Sequence, residues 1–188
     1  MPSDSIVRVD AFPLALPREV PYLGPLEPGV QPNSHGYFIR PGNRSIYSLH
    51  DHCTLVRLET ADGAVGWGEC VAVVAPEATA AIIRDLLAPQ ILGRDPHEAV
   101  AIYEDLYDAM RVRGFFGGFY VDAIAAVDIA LWDLRGKLLG IPLSRLLGAR
   151  RRDQLPAYAS GLPRSTLPER AELAAEMAAR GVRAIKFA

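Results

Sequence analysis

The sequence predicts an α+β domain, an antiparallel three-stranded meander with a helical bundle on one side, followed by a single β–α–β unit. Three observations carry this. From Ile6 to Gly148 the strand-type segments come first and the helical segments after them, the order of an α+β domain. The stretch Val121–Gly148 opens with a helix that is apolar almost all round, so other elements must cover it on several sides. After Arg150-Arg-Arg-Asp153 the pattern changes to strand, helix, strand. The domain boundary therefore falls at residue 150, with 1–150 as the first domain and 151–188 as the second.

Ile6–Leu16 alternates (Ile6, Arg8, Asp10 against Val7, Val9, Ala11) and reads as a strand, which Pro13 and Pro17 confine to a sheet edge. Residues 18–51 show no period and are rich in proline and glycine. A loop this long in a compact domain is a functional lid or a disordered segment. It carries Tyr22, His35, Tyr37, Phe38, Arg40, Arg44 and Tyr47. His52–Glu59 and Ala64–Glu69 flank Asp62-Gly63 and form a hairpin. The glycines of Gly66-Trp67-Gly68-Glu69 allow a backbone or large side chain to approach closely, with Trp67 packing on the helices. Pro76–Leu87 starts a helix at its proline and ends it before Pro89. Asp95-Pro-His-Glu98 is a capping-box start to a helix reaching about Met110, with Arg111 and Arg113 at its negative end.

Next comes the central helix. Ile124, Val127, Leu131, Leu134 and Leu138 share one stripe, widened by Ala125, Ala126, Ile129, Ala130 and Trp132, and Gly140 and Pro142 stop it. A short helix over Leu143–Leu147 follows. In the second domain, Leu155–Ser160 is a strand, and Thr166-Leu-Pro-Glu169 opens a helix with a capping box. Val182–Phe187 is a second strand, expected to run parallel to the first through a right-handed crossover.

The chain has 188 residues, half of them hydrophobic, and a net charge of −2 with both signs interspersed. That argues against nucleic acid and anionic membranes as partners. No window reaches the ~18 apolar residues of a membrane span, and the N-terminal residues lack the basic and apolar regions of a signal peptide. If Asp62-Gly63 is a two-residue turn, Leu55 faces Cys70, and Cys53 becomes the diagonal neighbour of Cys70. Diagonal pairs lie ~7–8 Å apart, too far for an unstrained disulfide. Two reduced thiols and a cytoplasmic location are the expectation.

The run Asp128-Ile-Ala-Leu-Trp-Asp-Leu-Arg-Gly-Lys137, continued by Leu-Gly-Ile-Pro-Leu and Leu-Leu-Gly148, resembles the hinge between cap and barrel in the enolase superfamily. The mandelate racemase/muconate lactonizing group is the branch it matches, and Gly66-Trp-Gly-Glu69 resembles that group's cap hairpin. The resemblance implies a cap domain followed by the first strand, helix and second strand of a (β/α)₈ barrel. Such a barrel needs ~250 residues, so the barrel is expected to be incomplete here, as a truncated gene product or a fragment. It also implies Mg²⁺ held by carboxylates on later barrel strands, abstraction of the proton α to a carboxylate, and an enediolate intermediate. A substrate that is an acid sugar or hydroxy acid, a dehydratase or racemase/epimerase outcome, and a homo-oligomer are further expectations. None of those carboxylates falls within this sequence, so no metal site is assigned, and the chain alone is expected to be inactive. The alternative is a non-catalytic fragment or interaction module built on the cap.

Lys186 is the candidate catalytic residue. It lies near the C-terminal end of a barrel-type strand, where barrel active sites assemble, and it matches the first lysine of the group's Lys-x-Lys motif. The second lysine's position holds Ala188, which accepts no proton, so a two-base racemase through this strand is disfavoured. The lid that the resemblance implies over the barrel mouth makes Tyr22, His35 and Tyr37 candidate substrate-binding residues. His50-x-His52 offers two imidazoles on one strand face but no third ligand. Glu69 and His97 read as ordinary surface groups. Asp122 and Asp128 read as scaffold, and Asp133 with Lys137 as an i,i+4 ion pair. Gly114–Gly118 lacks the Lys-Ser/Thr of a phosphate loop, and Arg150–Arg152 reads as a solvated linker.

Overall fold

The computed structural model describes residues 4–186. The strands are β1 (Ile6–Pro17), β2 (Tyr37–Ile39), β3 (Ile46–Ser48), β4 (His50–Thr60), β5 (Val65–Val71), β6 (Ala159–Ser160) and β7 (Ile185–Lys186). The helices are α1 (Pro76–Ile82), α2 (Ala88–Ile91), α3 (Ala99–Arg111), α4 (Phe119–Leu139), α5 (Leu143–Leu146) and α6 (Leu167–Ala179). The chain divides into two compact units. One comprises Met1–Leu16 with His52–Ala149, the other Pro17–Asp51 with Arg150–Ala188.

In the first unit the sheet order is β1-β4-β5, so the proline-bearing strand does lie at an edge. Backbone bonds from Ala61 to Ser5 and from Arg18 to Leu49 bracket β1 and β4 and make them antiparallel. The β4–β5 turn departs from expectation. Thr60 and Ala64 close a three-residue loop, with Gly63 at φ +88° supplying the left-handed residue that such a turn requires. This places Thr54 opposite Cys70 and Cys53 opposite Val71. A one-residue change of register sends a side chain to the other face. Cys70 is therefore buried in the core and Cys53 lies on the outer face, and both thiols are free.

The helices cover one face of this sheet. Residues 83–87 form a single π-helical stretch, in which the Ala88 N–H returns to Ile83 O. That register lets the chain pass Pro89, which has no N–H to donate, and continue to Ile91 rather than end before the proline. Asp95 caps a short 3₁₀ turn at Pro96–Glu98 by accepting from the His97 N–H at 2.8 Å. Glu98 pairs with Arg94 instead of completing a capping box.

At the centre lies α4. Ile124, Val127, Leu131 and Leu134 are fully buried, with Ile83, Leu87, Ile102 and Leu106 in the same core. One strip of α4 stays open, however: Ile129 is 47% exposed. At the helix end the N–H of Ile141 returns to Gly136 O, and Gly140 adopts the left-handed cap.

The contact of α4 with β5 explains the two strand glycines. A Cβ on Gly66 would lie 2.6 Å from Leu134 Cβ, and one on Gly68 would lie 2.6 Å from Ala130 N and closer still to Ala126 O. Strand and helix thus meet backbone to backbone. Trp67, between these glycines, necessarily points to the opposite face. It is 43% exposed and sits 6.1 Å from Phe12, not on the helices as expected. The helix also reaches the outer edge of β5. Asp133 accepts from the Trp67 N–H at 2.8 Å, and Lys137 donates to Val65 O at 3.0 Å and to Asp133 at 2.6 Å.

In the second unit β6 and β7 pair in parallel, as the strand–helix–strand pattern predicts. Thr166 and Glu169 form the expected capping box at the start of α6. The segment between β1 and β4 is not structureless. It contains the β2–β3 hairpin, with Tyr37 opposite Ser48 and Ile39 opposite Ile46.

Candidate functional site

The candidate residues of the 18–51 segment are fixed by short-range chemistry. Asn33 forms an Asx turn: its side-chain oxygen accepts from the His35 N–H at 2.9 Å and the Tyr37 N–H at 3.0 Å. That turn feeds β2 and holds the His35 and Tyr37 rings in a stack, 6.3 Å between centroids. Tyr22 stacks on Tyr47 at 6.1 Å, and the Arg18 guanidinium lies 5.6 Å from the Tyr22 ring. An open groove of about 440 Å³ runs along the hairpin, lined by Val30, Gln31, Asn33, Tyr37 and Ile46 among others. It offers aromatic and aliphatic walls with amide and phenol groups.

Arg40 is the residue that reading the sequence did not single out. It is only 5% exposed. Its two terminal nitrogens donate to the carbonyl oxygens of Tyr22, Gly24 and Pro25 and to the Glu27 carboxylate. Its guanidinium also lies 5.3 Å from the Phe38 ring. Glu27 is held below the usual carboxylate range, first by its own backbone amide and then by Arg40. These partners lie 13 to 18 residues away in sequence and have no periodic signature. Asn33 was not singled out either, although asparagine is a residue type that favours such turns.

Lys186 sits on β7 opposite Ser160, with its side chain exposed, and its carbonyl accepts from the Gly161 N–H at 3.0 Å. The structure thus joins His35 to Tyr37, places Tyr22 in a separate stack with Tyr47, and puts Lys186 on a different element. Ala188 lies outside the described residues. Glu69 is exposed on the outer face of β5; burial first, and then the Glu69 carboxylate, raise the Cys53 thiol pKa. Burial raises the carboxyls of Asp122 and Asp128 on α4, with a Trp132 hydrogen bond partly opposing this at Asp128.

Among the described residues no three His, Cys, Asp or Glu side chains gather into a metal-binding group. A hard divalent cation needs several oxygen ligands, so these residues do not fit Mg²⁺. No helix among them is long and apolar enough to cross a membrane.

A family model described as mandelate racemase/muconate lactonizing enzyme, N-terminal domain, matches residues 34–148. D-galactarolactone cycloisomerase of Agrobacterium fabrum is 39% identical over 127 residues, which are 67% of this chain and 32% of that protein. D-gluconate dehydratase of Thermoproteus tenax is 39% identical over 137 residues, 71% of this chain and 27% of that protein. Among solved structures, a member of the enolase superfamily from Agrobacterium tumefaciens superposes with TM-score 0.92 and 52% identity, over 98% of this chain and 47% of that one. A racemase from Streptomyces coelicolor, solved with bound magnesium, gives TM-score 0.77 and 28% identity over 97% and 46%. The chain therefore spans about a third of these curated relatives and about half of the solved chains.

Proposed function

Since this chain belongs to the mandelate racemase/muconate lactonizing enzyme family of the enolase superfamily, we propose that it supplies the cap, the lid and the first barrel strands of an enzyme acting on an acid sugar. The reaction is abstraction of the proton α to the substrate carboxylate, followed by dehydration, epimerisation or ring opening. The observation that carries this is the 39% identity to an acid-sugar cycloisomerase and an acid-sugar dehydratase.

An α-carboxylate proton is weakly acidic, so the developing enediolate needs strong electrostatic stabilisation. A divalent cation such as Mg²⁺ would supply that stabilisation if held by ligands other than the residues described here. The chain's own residues do different work. The Lys186 ammonium holds a substrate carboxylate oxygen as a compact point charge. Tyr22, His35 and Tyr37 read the substrate hydroxyls with phenol and imidazole groups. Ala188, at the second position of the Lys-x-Lys pattern, leaves this strand with one lysine, which favours a one-base reaction whose base lies elsewhere.

The test uses the product of the whole open reading frame. Proton NMR in D₂O with millimolar Mg²⁺ and a panel of aldonates, aldarates and their lactones should show exchange or loss at the α carbon for at least one acid sugar. Lys186→Met should abolish it, and His35→Ala or Tyr37→Phe should change the ranking of substrates more than the melting temperature. A folded protein that turns over no member of the panel would refute the assignment. The 188-residue chain alone should be inactive and show no Mg²⁺-dependent thermal shift, and a clear shift would contradict the placement of the ligands.

A further inference from the structure

We propose that Arg40 is a positioning residue that keeps the 22–47 segment folded before substrate arrives, and that it thereby sets substrate affinity. This rests on the reading of that segment as the lid. The argument starts from burial. A guanidinium carries a full charge, and removing it from water is unfavourable unless its donors find acceptors. Arg40 is 5% exposed, and four oxygens from a single turn of chain, residues 22–27, converge on its fork. Those oxygens include the carbonyls of Tyr22, Gly24 and Pro25, which no strand or helix among the described residues engages. The Phe38 and Tyr47 rings flank the guanidinium at 5.3 and 6.0 Å.

Arg40 therefore ties the Tyr22 turn to the β2–β3 hairpin that carries Tyr37. The Tyr22 carbonyl is itself one of the bonded groups, at 2.7 Å, so the Tyr22 backbone is clamped while its ring lies on Tyr47. Besides the fork and the Tyr22–Tyr47 stack, residues 22–30 are held by local turns such as Gly24 to Pro21 and Val30 to Glu27. A loop that is already ordered spares the ligand the entropy of ordering it.

Lysine does not reproduce this arrangement, because a single ammonium cannot reach four acceptors set for a planar fork. The test therefore compares Arg40→Ala with Arg40→Lys, the latter serving if the former fails to accumulate. Amide hydrogen exchange on the 188-residue chain should show faster exchange over residues 22–30 in both variants, with residues 120–134 unchanged. In the whole enzyme, KM should rise about tenfold with kcat within about twofold, the signature of lost pre-ordering rather than lost chemistry. Sub-denaturing guanidinium should restore part of the affinity of Arg40→Ala and none of that of the parent.

Unchanged exchange over 22–30 would overturn the proposal. So would faster exchange with unchanged KM, provided that His35→Ala or Tyr37→Phe still alters substrate ranking. If none of these variants alters KM or ranking, the lid reading itself fails, and the proposed link to affinity falls with it.

Discussion

Replacing Gly68 with alanine adds one methyl group where, of all the described glycines, a Cβ would come closest to neighbouring atoms. The new Cβ would lie 2.6 Å from Ala130 N and closer to Ala126 O, where ordinary contact is 3.4–4 Å. Both neighbours are helix backbone, so neither can rotate aside, and β5 must retreat from α4 by roughly 1 Å. Overpacking of a well-filled core destabilises by ~1–3 kcal/mol, and a backbone–backbone clash belongs at the upper end. Taking ~3 kcal/mol and a urea m-value of ~2 kcal/mol/M, the midpoint should fall by ~1.5 M. The melting temperature should fall by ~10 °C for a unit of this size. Tryptophan fluorescence is a suitable probe, because the two tryptophans, Trp67 and Trp132, lie on the two elements involved. Gly117→Ala is the control, since its Cβ meets nothing within 4 Å and should shift stability by no more than ~0.5 kcal/mol. A Gly68→Ala midpoint indistinguishable from that control would refute the claim that glycine is required by the approach of strand and helix.

Two further predictions concern the same unit. Asp133→Ala leaves the Trp67 N–H without its acceptor and should cost ~1–2 kcal/mol. Lys137→Ala removes a more exposed partner and should cost ~1 kcal/mol or less by the same urea titration; equal losses would contradict this ordering. Burial pushes the Cys70 thiol up to about 11. At pH 8 its thiolate fraction in the folded chain is therefore about 0.1%, and iodoacetamide should label it only as the chain unfolds. Rapid labelling of Cys70 in native protein, read by mass spectrometry, would show the site to be open.

Much of this was legible because it follows from local rules. The stripe of Ile124, Val127, Leu131 and Leu134, the Thr166–Glu169 capping box and the close approach at Gly66 and Gly68 are written in residue type and spacing. The misreadings have equally local causes. Asp62-Gly63 suggests a two-residue turn, but Thr60 and Ala64 close a loop of three, and that single residue moves Cys53 to the opposite face from Cys70. Pro89 signals a helix end, yet a π-helical turn removes the need for its missing donor. Trp67 looks like a core residue until the glycines on both sides are seen to claim the helix-facing direction. The β2–β3 hairpin was hidden because each strand has three residues, too few to show alternation. Arg40 was hidden because its partners are backbone carbonyls, which every sequence possesses.

A three-stranded sheet with a free outer strand invites another chain to add itself there, the step that begins domain exchange and fibril growth. On β5 the carbonyl of Val65 and the amide of Trp67 are already taken by the helix behind them. An incoming strand would have to displace a carboxylate and an ammonium to pair with Val65 and Trp67. The side chains that fasten helix to sheet thus also act as a stop against runaway polymerisation.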